Sequence, residues 1–422
     1  MPAPHHPRRV LALLLLATAC GGGGDAAPDR VSVQVDTLGD TIVVRTLAGS
    51  AWGDTGRLVP ELTIGVADGP EEYLLGRIRS LAVSPQGEIY LMDAQVPALR
   101  KYAADGSYLR TLGREGSGPG EYRQPDGGLA VLSDGRVVLR DPGNARFAIY
   151  AADGSYLEQW PVTAGFNTGR KLYRSDQDHV YTMVLLETDL PPWQWTYGMS
   201  HYAPDGTILD TLVVPKLGYE PPTVRGQRDG NSSTQYVPFT PTAPWAFSPL
   251  GYAVSGIGDR YRFTLFRPEG PLVIEKAADP VAVLPEEGAE RRAQVTWDME
   301  QNFPGWRWNG DPVPDTKPAF TDLMPAEDGR IWVRVSTRGE RVDEVASALP
   351  PREGSTPRPE SHFLEPVAFD VFEPDGRYLG HVVAPEGFQT GPTPVIRGDT
   401  VWAVTIDPEL GIPQVVRYRI AR

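Results

Sequence analysis

The chain is short of cysteine, histidine and positive charge, and each shortage closes off a class of chemistry. Cys20 is the only cysteine in 422 residues, so no disulfide forms within the chain and no thiolate cluster can hold a metal. Two of the six histidines, His5 and His6, fall in the first nineteen residues. The other four, His179, His201, His362 and His381, are scattered. Lysine and arginine total 40 against 54 acids, a formal net charge of −14. A field of that sign repels phosphate backbones and anionic lipids, which argues against nucleic-acid binding through a broad surface. Neither a phosphate-cradling glycine loop followed by lysine nor a Gly-x-Ser-x-Gly elbow occurs. Long helical patterns are few. What the chain has in quantity is turn formers and aromatics, with 45 Gly, 42 Pro, 17 Tyr and 10 Trp, the composition of a β-rich protein.

The N-terminus reads as a targeting segment. Arg8 and Arg9 precede the apolar run Val10 to Ala17, too short to span a bilayer and laid out as a secretory signal. The run ends in Ala17-Thr18-Ala19-Cys20, which resembles the lipobox of bacterial lipoproteins. That resemblance implies removal of residues 1–19, lipidation of Cys20 and a flexible tether over residues 20–30. The absence of aspartate after the cysteine, where Gly21 stands, implies the outer membrane. The alternative is ordinary cleavage after Ala19, releasing a soluble periplasmic or secreted protein. Loss of two arginines and no acids would take the formal charge from −14 to −16.

The body of the chain is repetitive. "YAADGSYL" occurs at Tyr102–Leu109 and again at Tyr150–Leu157, 48 residues later. Around each copy, residues 78–113 and 126–161 hold four short β-like runs separated by turns, the pattern of an antiparallel meander. Further aromatic residues before a tight turn stand at Tyr202, Phe266, Phe372 and Tyr418. A four-stranded unit of this length cannot bury both faces alone, so the units stack around an axis as a β-propeller. The expected fold is all-β, a propeller of six four-stranded antiparallel blades over residues 61–422. Pro285 to Phe303 forms one short helix inside a loop insertion, with Ala289, Ala293 and Trp297 at helical spacing. "ELTIG" at Glu61–Gly65 matches "LRTLG" at Leu109–Gly113 and supplies the outer strand that the last blade lacks, closing the ring. Residues 31–60 form an N-terminal hairpin and lead-in. The run Asp141-Pro-Gly-Asn144-Ala-Arg146 before Tyr150 resembles NHL-type repeats, and the chain as a whole resembles a group of bacterial propeller lipoproteins.

Insertions mark one face of the ring. The turns between strands one and two, and three and four, are tight, whereas the other connections hold the segments 188–195, 215–243, 278–318 and 336–365. Loops on a rigid scaffold are where binding resides, so this long-loop face and the channel mouth are the expected site. Trp193 and Trp195 in one insertion, and Trp306 and Trp308 in another, are either stacking platforms for a ligand or packing residues that order the loops. Arg79 and Arg170 occupy equivalent positions at the start of two innermost strands, with Asp126 and Asp322 nearby. Such arginines hold a carboxylate or phosphate, or pair with neighbouring acids. Asp93 and Asp141 recur at one blade position and read as acceptors of turn amides. "QRDGNSS" at 227–233 lacks the acidic spacing of a calcium loop.

Enzymatic alternatives are limited. A zinc lyase built on a propeller needs converging histidines, and blade alignment sets the four histidines apart. A calcium-dependent lactonase of the gluconolactonase kind needs an acid and two asparagines on inner strands, for which Asn167 is the nearest candidate. The sequence is read as a rigid binding or interaction scaffold, with a calcium-dependent lactonase whose site lies at the central channel as the alternative. No metal or cofactor is assigned, and the partner is an envelope protein or a glycan. No nucleic acid is bound, contact with the membrane runs through Cys20 alone, and the chain is a monomer.

Overall fold

A computed structural model describes residues 31–162, 171–187, 189–190, 194–343 and 357–422. The leader, Cys20 and the tether, and also Asn167, Arg170 and Trp193, lie outside the described residues.

The strands sort into four-stranded antiparallel meanders, the blades of a β-propeller. Blade one runs Ile78–Val83, Ile89–Asp93, Ala98–Tyr102 and Tyr108–Leu112. Blade two spans Leu129–Pro161, blade three Tyr173–Val213 and blade four Trp245–Lys276. Blade five spans Phe320–Val383, and blade six takes its inner strands from Val395–Ala421. The second and third strands of blades one and two are buried on both sides, while all but the ends of their outer strands is exposed. That is the burial expected of sheets sandwiched between neighbours, and it explains the unbroken apolar runs "IYLM" and "FAIY". Tyr102, Tyr150 and Tyr202 close the third strands with no exposed surface.

The repeated "ADGS" is a turn device. Gly106 N donates to Ala103 O at 2.9 Å and Ser107 N to the Asp105 carboxylate at 3.0 Å. Gly106 sits at φ +85°, and a Cβ there would come within 2.9 Å of Leu62 in the neighbouring blade. Both the backbone conformation and the close approach call for glycine. The second copy repeats the arrangement, with Gly154 at φ +84° against Leu112.

Closure of the ring occurs at the N-terminus, as the Glu61–Gly65 match implies. We number the first three strands β1 (Ser32–Leu38), β2 (Thr41–Ala48) and β3 (Gly56–Ile64). β3 is the outer strand of blade six, pairing antiparallel with Pro413–Ala421, for example Leu58 opposite Ile420 and Ile64 opposite Val415. The β1–β2 hairpin lies outside the ring, and β2 adds in parallel to the outer strand of blade four, with Thr46 opposite Lys276. Between these contacts, Trp52 N donates to Leu379 O of blade five at 2.8 Å, and Gly56 pairs in parallel with Val382. The segment from residue 32 to 64 is thus a strap along the outer edges of blades four, five and six, covering strand edges that would otherwise be open. Ser32 lies opposite Ala48, next to the point where the 277–319 insertion leaves blade four.

Insertions build the long-loop face. Residues 214–244 hold a hairpin, Thr223–Arg228 with Asn231–Tyr236, whose Asp229-Gly230 turn has positive φ at both residues, the hallmark of a two-residue hairpin loop. This is the "QRDGNSS" stretch. Helix α1 (Pro285–Asn302) follows blade four, opening with proline at its first position and two acids in the first turn. Its buried residues are Glu287, Gly288, Gln294 and Met299, whereas Ala289 and Ala293 are exposed. The alanine and tryptophan stripe therefore faces an open groove, because the helix packs on the hairpin through Met299, Phe303 and Val224 instead.

Candidate functional site

The central channel is the first place to look for a site in a propeller. Val83, Val131, Tyr173, Pro249, Pro325 and Val395, one residue from each blade, line a cavity of about 40 Å³. That space admits roughly one water molecule, so among the described residues this part of the axis offers little room for a ligand. Lys171, Arg174 and Glu327 also reach it. Glu327 is held by Arg397 at 2.6 Å. Lys171 donates to Pro394 O at 3.4 Å, and burial lowers the pKa of its amine, with the Glu327 charge opposing.

The charged residues expected at the channel mouth are dispersed. Arg79 is exposed, standing in a bulge between Ile78 and Ser80 at the start of blade one. The Asp126 carboxylate is bound to the fully buried Arg140 guanidinium and accepts Gly128 N at 3.0 Å. Burial raises its pKa, and the Arg140 charge and the Gly128 amide oppose that. Asp126 is thereby committed to a structural ion pair.

Asp322 and Trp195 are brought together. Both line a cleft of about 600 Å³ on the long-loop face, a volume typical of small-molecule sites. Its walls come from three blades: Leu190, Gln194, Trp195 and Tyr197; Val214 to Pro221; Thr242 to Trp245; and Thr321 with Asp322. Three rings form a continuous wall. Trp195 meets Tyr197 edge-on with centroids 6.4 Å apart, and Tyr197 meets Trp245 at 5.4 Å. Tyr197 and Trp245 pack on the core cluster of Met183, Met199, Val214 and Phe247, which fixes the wall to the scaffold. Trp195 stands outermost, its indole N–H donating to Leu190 O at 2.6 Å. Tyr219, whose hydroxyl donates to Pro241 O at 3.2 Å, and the exposed Tyr236 add further rings. Polar side chains share the lining with these rings, among them Gln194, Lys216, Glu220, Thr242 and Thr321; Gln194 donates to Glu220 at 2.7 Å, and Lys216 lies 3.4 Å from Glu187. Asp322 accepts Leu323 N at 2.8 Å at a bulge in the innermost strand of blade five.

Sequence reasoning missed Tyr197, Trp245, Tyr219 and Tyr236. The available signal was the recurrence of aromatics beside the insertions, "WQWTY" and "PWAF", which a search for paired tryptophans passes over.

Trp306 and Trp308 are elsewhere. They contact each other edge-on at 6.2 Å and pack against Val224, Val237, Met299 and Phe303. Their indole N–H groups donate to backbone carbonyls, Trp306 to Arg225 O and Trp308 to Asp311 O, at 2.8 and 2.9 Å. These two rings order the helix and hairpin of the long-loop face.

One expectation about histidine is corrected. His179 Nδ1 and His201 Nε2 lie 2.6 Å apart on blade three, and His201 Nδ1 lies 3.0 Å from Asp210. The residue preceding the second strand reaches across to the third, so the two rings meet. His362 pairs with Glu290 and His381 with Asp370. Among the described residues no three His, Cys, Asp or Glu side chains gather to hold a metal ion. Asp93 and Asp141 do accept backbone amides, Gly76 and Arg77 for the first and Arg123 for the second. Each ties the incoming connection to its blade.

No protein-family model matches the chain, and no curated protein matches it in sequence. Solved structures align with most of the chain at low identity. A member of the DUF4221 family from Bacteroides vulgatus aligns with a TM-score of 0.48 at 8% identity, over 87% of this chain and 98% of its own. A gluconolactonase from Xanthomonas campestris aligns at 0.39 and 12% identity, over 85% and 98%. Virginiamycin B lyase from Staphylococcus aureus aligns at 0.37 and 8% identity, over 81% and 94%. At such identities and scores the alignments carry no activity across to this chain.

Proposed function

We propose that this chain is a binding scaffold of the cell envelope, held to the outer membrane through lipidated Cys20 and presenting the long-loop face to its ligand. The observation that carries the reading is the cleft at Trp195, Tyr197 and Trp245. It has the volume of a binding site and an aromatic wall interleaved with polar side chains, on loops seated on a rigid ring. The small cavity on the axis, about 40 Å³ among the described residues, supports placing the ligand on the face. Entry of the chain at Ser32, beside the 277–319 insertion, starts the tether close to the long loops.

Site-specific photocrosslinking of the full chain in cells tests the scaffold reading. A benzophenone residue replacing Leu217 in the cleft should give a discrete adduct, and one replacing Gln86 in a tight turn of blade one should not. Equal adducts at both positions, or none at Leu217, would remove the cleft as the binding site. Fractionation of a Cys20→Ala variant tests the anchor: release from the membrane supports it, and unchanged membrane association refutes it.

A further inference from the structure

We infer that the cleft takes a neutral saccharide, an inference that rests on the scaffold reading above. Charge is the first argument. Among the described residues, Lys216 is the only basic one lining the cleft, and its amine is directed at Glu187, 3.4 Å away. The described lining offers no cationic fork for a phosphate or a carboxylate, and a formal net charge of −14 disfavours anionic ligands.

The lining supplies the second argument. An apolar ligand would strip water from Gln194, Glu220, Thr242 and Thr321 without replacing their hydrogen bonds, which is unfavourable. An extended peptide binds best by adding to an open strand edge, but the strand that carries Tyr197 pairs with Val180–Glu187 on one side and, over Gly198–Tyr202, with Ile208–Val213 on the other, and Tyr197 O accepts Val214 N. A pyranose presents one face of C–H groups and a rim of hydroxyls. The C–H face suits the stepped rings of Trp195, Tyr197 and Trp245, and the hydroxyls suit amide, carboxylate and hydroxyl groups around them. Because the indole N–H of Trp195 is bonded to Leu190 O, the outermost ring is fixed in orientation before any ligand arrives, which limits the entropy lost on binding.

Intrinsic tryptophan fluorescence and calorimetry on the full chain test this with cellotetraose, maltotetraose and chitotetraose as neutral probes, tetragalacturonate as an acidic one and choline as a cation. Saturable binding of at least one neutral tetrasaccharide is expected. Trp195→Ala should weaken it tenfold or more, Trp195→Phe should retain part of the affinity, and Trp306→Ala should leave it unchanged. Saturation by choline or tetragalacturonate alone, or by none of the five probes, overturns the saccharide inference. The crosslink at Leu217 then decides separately whether the cleft binds something else or the scaffold reading falls as well.

Discussion

Glu287 and Lys317 meet at 2.6 Å with side chains 2% and 0% exposed. The carboxylate belongs to the first turn of α1 and the amine to the segment that leads into blade five, so the pair bolts the helix to the ring. Lys317 also lies 3.1 Å from Glu365 and donates to Thr337 O. Removing one partner of a buried pair strands the other charge, which costs about 3–5 kcal/mol. Lys317→Met should therefore lower stability by about 3 kcal/mol in chemical denaturation, and Glu287→Gln added to it should recover part of the loss. Unchanged stability in Lys317→Met would contradict this role.

Acid stability should depend on Asp370. Its carboxylate is 3% exposed and is contacted by Tyr261 Oη and Tyr378 Oη at 2.8 Å, His381 Nδ1 at 3.0 Å and Lys276 Nζ at 3.1 Å. Burial alone would raise its pKa. The His381 hydrogen bond, the Lys276 and His381 charges and the Tyr261 hydroxyl outweigh burial and hold it below the ordinary 3.8. A depressed folded value contributes stability that is full above the unfolded pKa and is lost as pH falls through the folded one. Asp370→Asn should thus be less stable than the parent at pH 7, with the gap narrowing below about pH 4. A gap independent of pH would show that the carboxylate charge is not what matters.

The tryptophans should separate by role. Trp306→Ala and Trp308→Ala remove half-buried rings from the helix and hairpin cluster and should each lower stability by about 1–3 kcal/mol. Trp195→Ala should change stability by less than about 1 kcal/mol, since its ring stands outside the core cluster. Melting curves of the three variants check this, and a large loss in Trp195→Ala would assign that ring to packing.

The strap can be tested at Trp52. A Cβ on Gly380 would come within 2.6 Å of the Trp52 ring, so Gly380→Ala should destabilise by about 1–3 kcal/mol through overpacking. Trp52→Ala should accelerate amide exchange in 56–64 and 378–383 together, because both strands lean on the strap. Faster exchange confined to residues near position 52 would argue that the strap holds nothing.

Local signals carried most of the fold. The Asp-Gly turns, the buried apolar middle strands and the aromatic third-strand ends are set by residues within one blade, and the Glu61–Gly65 match is a copy of the blade pattern. Helix α1 was legible from its proline start and spacing. Its orientation was not, because burial is decided by what packs on it, here Phe303 and the hairpin at Val224. Nothing in "VSVQVDTLGDTIVVRTL" says that β2 will add to blade four, since any open edge accepts a strand of that pattern. The His179–His201 contact depends on cross-strand register at a turn. In the cleft, Trp195 and Asp322 were singled out for unrelated reasons, and that both line it follows from how blades three, four and five are arranged.

Hydrogen–deuterium exchange of the full chain, with and without a saturating neutral tetrasaccharide, tests the central claim most directly. The account predicts slowed exchange in 194–197, 214–221 and 242–245, with the groove along α1 unchanged. Protection along 285–300, or around the channel at 81–83 and 129–131 with the cleft unaffected, would contradict it.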